Sequence, residues 1–253
     1  MKVIRIKSPR EIELMRQAGK ITAAARSFAR DLVTPGVTTQ KINDEVHKFI
    51  ISHGAVPSFL GYNGFQGSVC ISLNEEVIHG IPSKRRILSG NIVSIDLGAQ
   101  IGGFHGDCAC TLPCGETSPE NMRLIELTRQ SFFEGLKYAR VGYRVSDISH
   151  AIQEYAESHG LGVVREYVGH GIGSKLHEPP EVPNFGPPGH GPRLLPGMTI
   201  AIEPMLNWGG AEIKLLGDGW TIVTADGSFS AHYENTILIT DGEPEILTAS
   251  EDM

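Results

Sequence analysis

Asn91–Thr111 reads NIVSIDLGAQIGGFHGDCACT. Its first seven residues alternate. Ile92, Ser94 and Asp96 share one face and Val93, Ile95 and Leu97 the other, the pattern of a β-strand. Gly98, Gly102 and Gly103 mark a turn region. A second strand then puts Asp107 on one face with Ala109, and Cys108 and Cys110 on the opposite one. The stretch predicts a hairpin carrying two aspartates among apolar neighbours. A carboxylate buried there is costly unless a cation meets it. Two carboxylates on adjacent strands repel unless a proton or a metal lies between them. Aspartates that merely cap turns would satisfy the hairpin equally well, so the rest of the chain has to decide.

The chain has 253 residues and a formal net charge of −7. That length allows one large domain or two fused halves and is ample for a sizeable core. The acidic balance gives no nucleic-acid footprint. The start, MKVIRIKSPREIE, is charged and lacks the apolar stretch of a secretory signal, and no run is long and apolar enough to span a bilayer. Cys108, Cys110 and Cys114 cluster, but without a fourth soft ligand nearby they make a poor zinc site. With Cys70 they read as reduced thiols of a cytoplasmic protein.

Ser8-Pro9-Arg10-Glu11 is a capping box with proline at the first helical position. The helix behind it, marked by Ile12, Met15, Ala18, Gly19 and Thr22, is expected to reach Leu32 before the Pro35-Gly36 break. A second helix, roughly Thr39 to His53, shows Ile42, Val46, Phe49 and Ile50 on one face and ends at Gly54. The unit then recurs. A long helix starts near Asn121 and breaks at Val141-Gly142, and another runs from about Ser146 to His159 and ends at Gly160. Gly36 and Gly54 are spaced as Gly142 and Gly160 are, with Ile42 matching Ile148 and Val46 matching Ile152 in offset. Such a match of breaker, core face and helix end indicates an internal duplication. Each helix pair is followed by a β-rich stretch, Tyr62 to Thr111 and Leu161 to Ile246. One domain over residues 1–253 is expected, with α+β halves at about 8–115 and about 120–248. A site at their junction would draw side chains from both.

The second half supplies them. Val168-Gly169-His170-Gly171-Ile172-Gly173 sets a histidine among glycines, where backbone can approach closely. Gly197–Pro204 reads as an apolar strand ending in Glu203, and Ser230–Ile239 as another apolar strand carrying Glu234. Glutamate is rarely buried unless paired or bound to metal. Four strand-borne carboxylates carry as much charge as two divalent cations neutralise. One cation would leave a net double negative charge in a low dielectric. A carboxylate-rich set with a single imidazole suits manganese, iron, cobalt or zinc. Paired metals suit hydrolysis, with activated water attacking a carbonyl.

Asp96, Asp107, His170, Glu203 and Glu234, in this order, resemble the five metal ligands of the methionine aminopeptidase family. So do the motifs His79-Gly80-Ile81-Pro82, Phe104-His105-Gly106-Asp107, Val168–Gly173 and Ile202-Glu203-Pro204. The resemblance covers about Ser8 to Ile246 and is to the bacterial-style type 1 enzymes: no zinc-binding extension precedes Ser8, and too few residues separate Glu203 from Glu234 for a type 2 insertion. It implies the pita-bread fold, α+β, with two pseudo-symmetric halves around a central antiparallel sheet. It implies removal of N-terminal methionine before a small second residue, with two divalent ions (cobalt, manganese, iron, zinc or nickel) as cofactor.

The resemblance also assigns roles. Asp96 would bind one metal, His170 the other, and Asp107 and Glu234 would bridge them. Glu203 would ligate a metal and act as general base. His79 and His177 would be catalytic, hydrogen-bonding the substrate, the departing nitrogen and the scissile carbonyl. Tyr62, Cys70, Trp220, Phe59, Phe65 and Leu176 would line the methionine pocket, Phe59, Phe65 and Leu176 departing from the residues common in bacterial relatives. His232-Tyr233-Glu234-Asn235 departs from the more usual Gln-Phe-Glu-His, and His232 is expected to hydrogen-bond Glu234. Asn74 and Ser230 resemble a monovalent-cation site. The implied partners are peptide and nascent-chain N-termini, with transient ribosome association, for a monomer in the cytoplasm with no membrane or nucleic acid involved. Two rivals remain: a proline-directed aminopeptidase, which usually carries an added N-terminal domain, and a non-catalytic binding module, which would have lost metal ligands.

Overall fold

The structure is a computed structural model, and residues 3–250 are described. Among the described residues four α-helices form: α1 (Pro9–Asp31), α2 (Thr39–Ser52), α3 (Pro119–Leu136) and α4 (Val145–Ser158). The Ser8 capping box forms as predicted, Ser8 and Glu11 each accepting from the other's backbone. Helix α3 departs from the sequence reading at both ends. It begins two residues before Asn121, because Ser118-Pro119 repeats the cap-and-proline device, with Ser118 Oγ accepting from Asn121 N. It stops at Leu136, before the Val141-Gly142 break.

Nine strands build the central sheet: β1 (Val56–Pro57), β2 (Val69–Leu73), β3 (Ile92–Ile101), β4 (Phe104–Pro113), β5 (Gly169–Gly171), β6 (Glu178–Val182), β7 (Thr199–Ile202), β8 (Glu234–Leu238) and β9 (Glu245–Ile246). The order is β1-β3-β4-β8-β7-β5-β6, with β2 also on β3 and β9 on β8, and every pairing is antiparallel.

The opening stretch is the β3–β4 hairpin. Ile101 pairs with Phe104 across a two-residue turn in which Gly102 and Gly103 have φ of 59° and 83°. Positive φ at both positions is what a tight twisted hairpin demands. Gly98 is not part of the turn: it lies inside β3 opposite Asp107. Its missing side chain makes room for Ser58, whose Cβ would sit 2.9 Å from a Cβ at this position.

Two cores flank the sheet. Ile42, Val46 and Ile50 of α2 pack with Ala25 and Ala29 of α1 against Ile71, Val93, Ile95 and Leu97. Ile148 and Ile152 of α4 pack with Phe132 of α3 against Val182, Ile200, Ile202 and Ile237. The residues matched by the repeat therefore hold matching places. Two smaller sheets complete the fold. In one of them Ile213–Leu215, Ile222–Thr224 and Glu76–Ile78 lie side by side, which brings the turn bearing Trp220 next to His79. All four cysteines are free thiols. No helix of the described residues is long and apolar enough to cross a membrane.

Candidate active site

Strand register assembles the acids. Asp96 on β3 faces Ala109 on β4, and Ala109 faces Glu234 on β8. Asp107 precedes Ala109 by two and so shares its face. Asn235 faces Ile202 on β7; continuing that register sets Glu203 opposite Glu234. His170 on β5 completes the ring, its Nε2 3.5 Å from Glu203 Oε1 and 3.8 Å from Asp107 Oδ2.

The flanking glycines put His170 there. A Cβ on Gly169 would fall 2.4 Å from the Ala201 carbonyl oxygen, and one on Gly171 2.2 Å from that of Pro179. Only glycine lets β5 lie this close to its neighbours. His170 Nδ1 donates to the Gly171 carbonyl at 2.9 Å, leaving Nε2 as the lone-pair nitrogen turned to the acids.

Asp107, His170 and Glu234 are buried, and one donor atom from each lies within 4.8 Å of the others. Asp96 and Glu203 are partly open to the cavity. Asp96 Oδ1, Asp107 Oδ1 and Glu234 Oε1 are buried with no hydrogen-bond partner among the described residues. Burial alone pushes the Asp96 carboxyl up to about 8. Burial, and then the neighbouring acids, hold Asp107, Glu203 and Glu234 well above the usual carboxylate range. Burial, and then His177, bring the His170 imidazole down to about 3. The protein alone does not let these four acids ionise together. A hard-donor set with unsatisfied oxygens and one neutral imidazole fits divalent cations.

Beside the acids opens a cavity of about 270 Å³. Phe59, Tyr62, Phe65, Cys70, Leu176 and Trp220 line it, as do His79, His177 and the four acids and one histidine of the ring. Every site residue expected from the sequence except His232 and the Asn74–Ser230 pair thus meets here. Phe65 sets its ring edge-on to Trp220, with centroids 5.1 Å apart. Cys70 faces Asp96 across β2–β3, and burial raises its thiol well above the ordinary range. His79 has φ of 60°, an uncommon conformation for a residue other than glycine and one that concentrates at functional sites. Burial, and then His177, lower its imidazole to about 4.

His232 departs from its expected place. Its Nε2 lies 4.0 Å from Glu203 Oε2, and no hydrogen bond joins it to Glu234. The two are alternate in sequence across an irregular join between Ser230–His232 and β8, so the ring is carried behind Glu203 instead. Asn74 contributes its side chain to Ile92 N and its carbonyl to Ser230 N. Asn63, Ile78, Tyr167 and Val168 also line the cavity and carry no pocket role in the sequence reading. Ile78 and Val168 adjoin or nearly adjoin flagged histidines, a signal that was present. Tyr167 meets His79 edge-on at 5.5 Å, which no local pattern reveals.

The family model for metallopeptidase family M24 matches residues 13–241. The chain is 54% identical to the methionine aminopeptidase of Clostridium acetobutylicum, over 98% of this chain and 100% of that one. It is 50% identical to methionine aminopeptidase 1 of Bacillus subtilis, over 96% and 98%. The crystal structure of methionine aminopeptidase from Thermotoga maritima superposes with a TM-score of 0.96 at 45% identity, over 98% and 100%. Prolidase from Pyrococcus furiosus shares the fold at a TM-score of 0.80 and 24% identity, over 97% of this chain and 66% of that one.

Proposed function

The chain belongs to metallopeptidase family M24, among its methionine aminopeptidases, and on that premise we propose that it removes N-terminal methionine from peptides and nascent chains with a small second residue. The observation that carries this reading is the convergence of buried Asp107, His170 and Glu234 beside an apolar cavity. Asp96, Asp107, His170, Glu203 and Glu234 would hold two divalent cations, whose charge makes water acidic enough to attack near neutral pH and offsets the negative charge developing on a carbonyl oxygen.

The chain's own groups do the rest. Glu203 takes the proton of the attacking water on a carboxylate oxygen, being more open to the cavity than the buried Glu234. His177 hydrogen-bonds the scissile carbonyl, and His79 the amide nitrogen that leaves as an amine. Phe59, Phe65, Cys70, Leu176 and Trp220 enclose the methionine side chain and exclude water from it. The substrate's α-amine, with an ordinary pKa of about 7.7–8.0, enters in its neutral form. Manganese, iron and cobalt are the cations to test first. The enzyme acts as a monomer in the cytoplasm.

A pair of peptides offered to manganese-loaded protein separates the readings. Free methionine from Met-Ala-Ser, with a Xaa-Pro peptide left intact, is expected. Cleavage of the Xaa-Pro peptide alone would show a proline-directed enzyme, and cleavage of neither a binding module.

A further inference from the structure

Tyr62 sits in a 3₁₀ turn, Tyr62–Gly64, far in sequence from His177, yet its phenol oxygen lies 2.6 Å from His177 Nδ1. The rings tilt at 56° with centroids 5.1 Å apart. His177 in turn packs edge-on against His170, centroids 4.2 Å apart. Among the described residues, neither the Tyr62 hydroxyl nor the His177 ring makes another hydrogen bond.

Two arrangements share that distance: the phenol donates to the ring nitrogen, or the ring N–H donates to the phenol oxygen. A phenol is a far stronger acid than a neutral imidazole N–H, and a bare imidazole nitrogen is a far stronger base than a phenol oxygen. The short contact also suits O–H donation to nitrogen.

We propose that Tyr62 is a positioning residue: its hydroxyl donates to His177 Nδ1 and so fixes the imidazole proton on Nε2. His177 then meets the scissile carbonyl as a hydrogen-bond donor. In the other tautomer a lone pair would face the carbonyl oxygen, which repels it. A hydroxyl on the wall of the methionine pocket thereby sets the polarity of the group that grips the reacting bond. The role is separate from lining the pocket, because a phenylalanine ring would line it as well. The proposal rests on the function proposed above in its use of the carbonyl but not in its tautomer.

Two measurements test it. In zinc-loaded, histidine-labelled protein, ¹⁵N spectra are expected to show His177 with Nε2 protonated and Nδ1 accepting, and Tyr62→Phe to lose the accepting signature at Nδ1. In methionine release, Tyr62→Phe is expected to lower kcat about tenfold with KM changed less than about twofold, since the ring stays and one hydrogen bond goes. On a His177→Ala background the same change is expected to cost nothing further. A protonated Nδ1 in the wild-type protein would overturn the proposal. So would an equal loss from Tyr62→Phe with and without His177. Failure of the wild-type protein to release methionine would count against the function and leave the spectroscopic result to stand by itself.

Discussion

In the proposed reaction Glu203 would carry two duties that compete. As a ligand it gives electron density to a cation, and as a base it must take a proton. Its position reconciles them: it directly follows β7, opposite Glu234, with one oxygen near His170 Nε2 and the other toward His232. Glu203→Gln keeps an oxygen donor and removes the base. Turnover is expected to fall by at least about 100-fold, the usual contribution of a general base, with peptide and metal still bound. Steady-state kinetics beside metal analysis checks it, and a loss within about tenfold would remove Glu203 from that role. At this scale the sequence was informative about chemistry and poor about contacts. An acid on an apolar strand, or a histidine between glycines, violates its local setting, and that violation can be read without coordinates. The Tyr62–His177 bond spans distant parts of the chain, and His232 turns to Glu203 because of a join between strands that no period encodes.

At the scale of elements, one pair stands out that the sequence reading did not single out. Lys7, ahead of α1, places Nζ 2.8 Å from Glu178 Oε2 at the start of β6, with both side chains buried. Ser174 Oγ and Lys175 N also donate to Glu178. The pair ties the N-terminal segment to the loop that presents His177. Burial works against the Glu178 carboxylate, but Lys7, Lys175 N and Ser174 outweigh it and hold its pKa below the ordinary value. A carboxyl with a lowered folded-state pKa adds stability that is present above its unfolded pKa and lost as pH falls through the folded one. Glu178→Gln, which leaves Lys7 buried without its counter-ion, is therefore expected to cost about 3 kcal/mol at pH 7. That deficit should shrink as the pH is lowered below about 4.5, the unfolded range for Glu. Chemical denaturation at pH 7 and pH 3.5 measures it, and a deficit of the same size at both would contradict the assignment.

The helices and the β3–β4 hairpin were legible because their signals are local: the Ser8 cap, the Gly54 and Gly160 stops, and strict alternation around Asp96. Gly98 misled because a glycine that admits Ser58 to a strand looks, in sequence, like one that turns a chain. The early start of α3 was legible in Ser118-Pro119, which repeats the Ser8-Pro9 device.

For the whole molecule, the decisive contact is the antiparallel pairing of β4 with β8 in the middle of the sheet. It brings Asp96 and Asp107, from the hairpin after α1 and α2, against Glu203, Glu234 and His170, from strands after α3 and α4. Neither set suffices: two acids, or two acids and a histidine, cannot balance two divalent ions. The matching offsets of Ile42 with Ile148 and Val46 with Ile152 explain how such a site arises, since equivalent helix pairs back equivalent stretches of sheet. Brought together, these five side chains would serve a metal-dependent hydrolysis. The most direct test is release of free methionine from Met-Ala-Ser by protein stripped with a chelator, before and after manganese, iron or cobalt is returned. No release from stripped protein, and recovery once metal is returned, is the expected result. Undiminished release after complete stripping, or none from folded and metal-loaded protein, would contradict it.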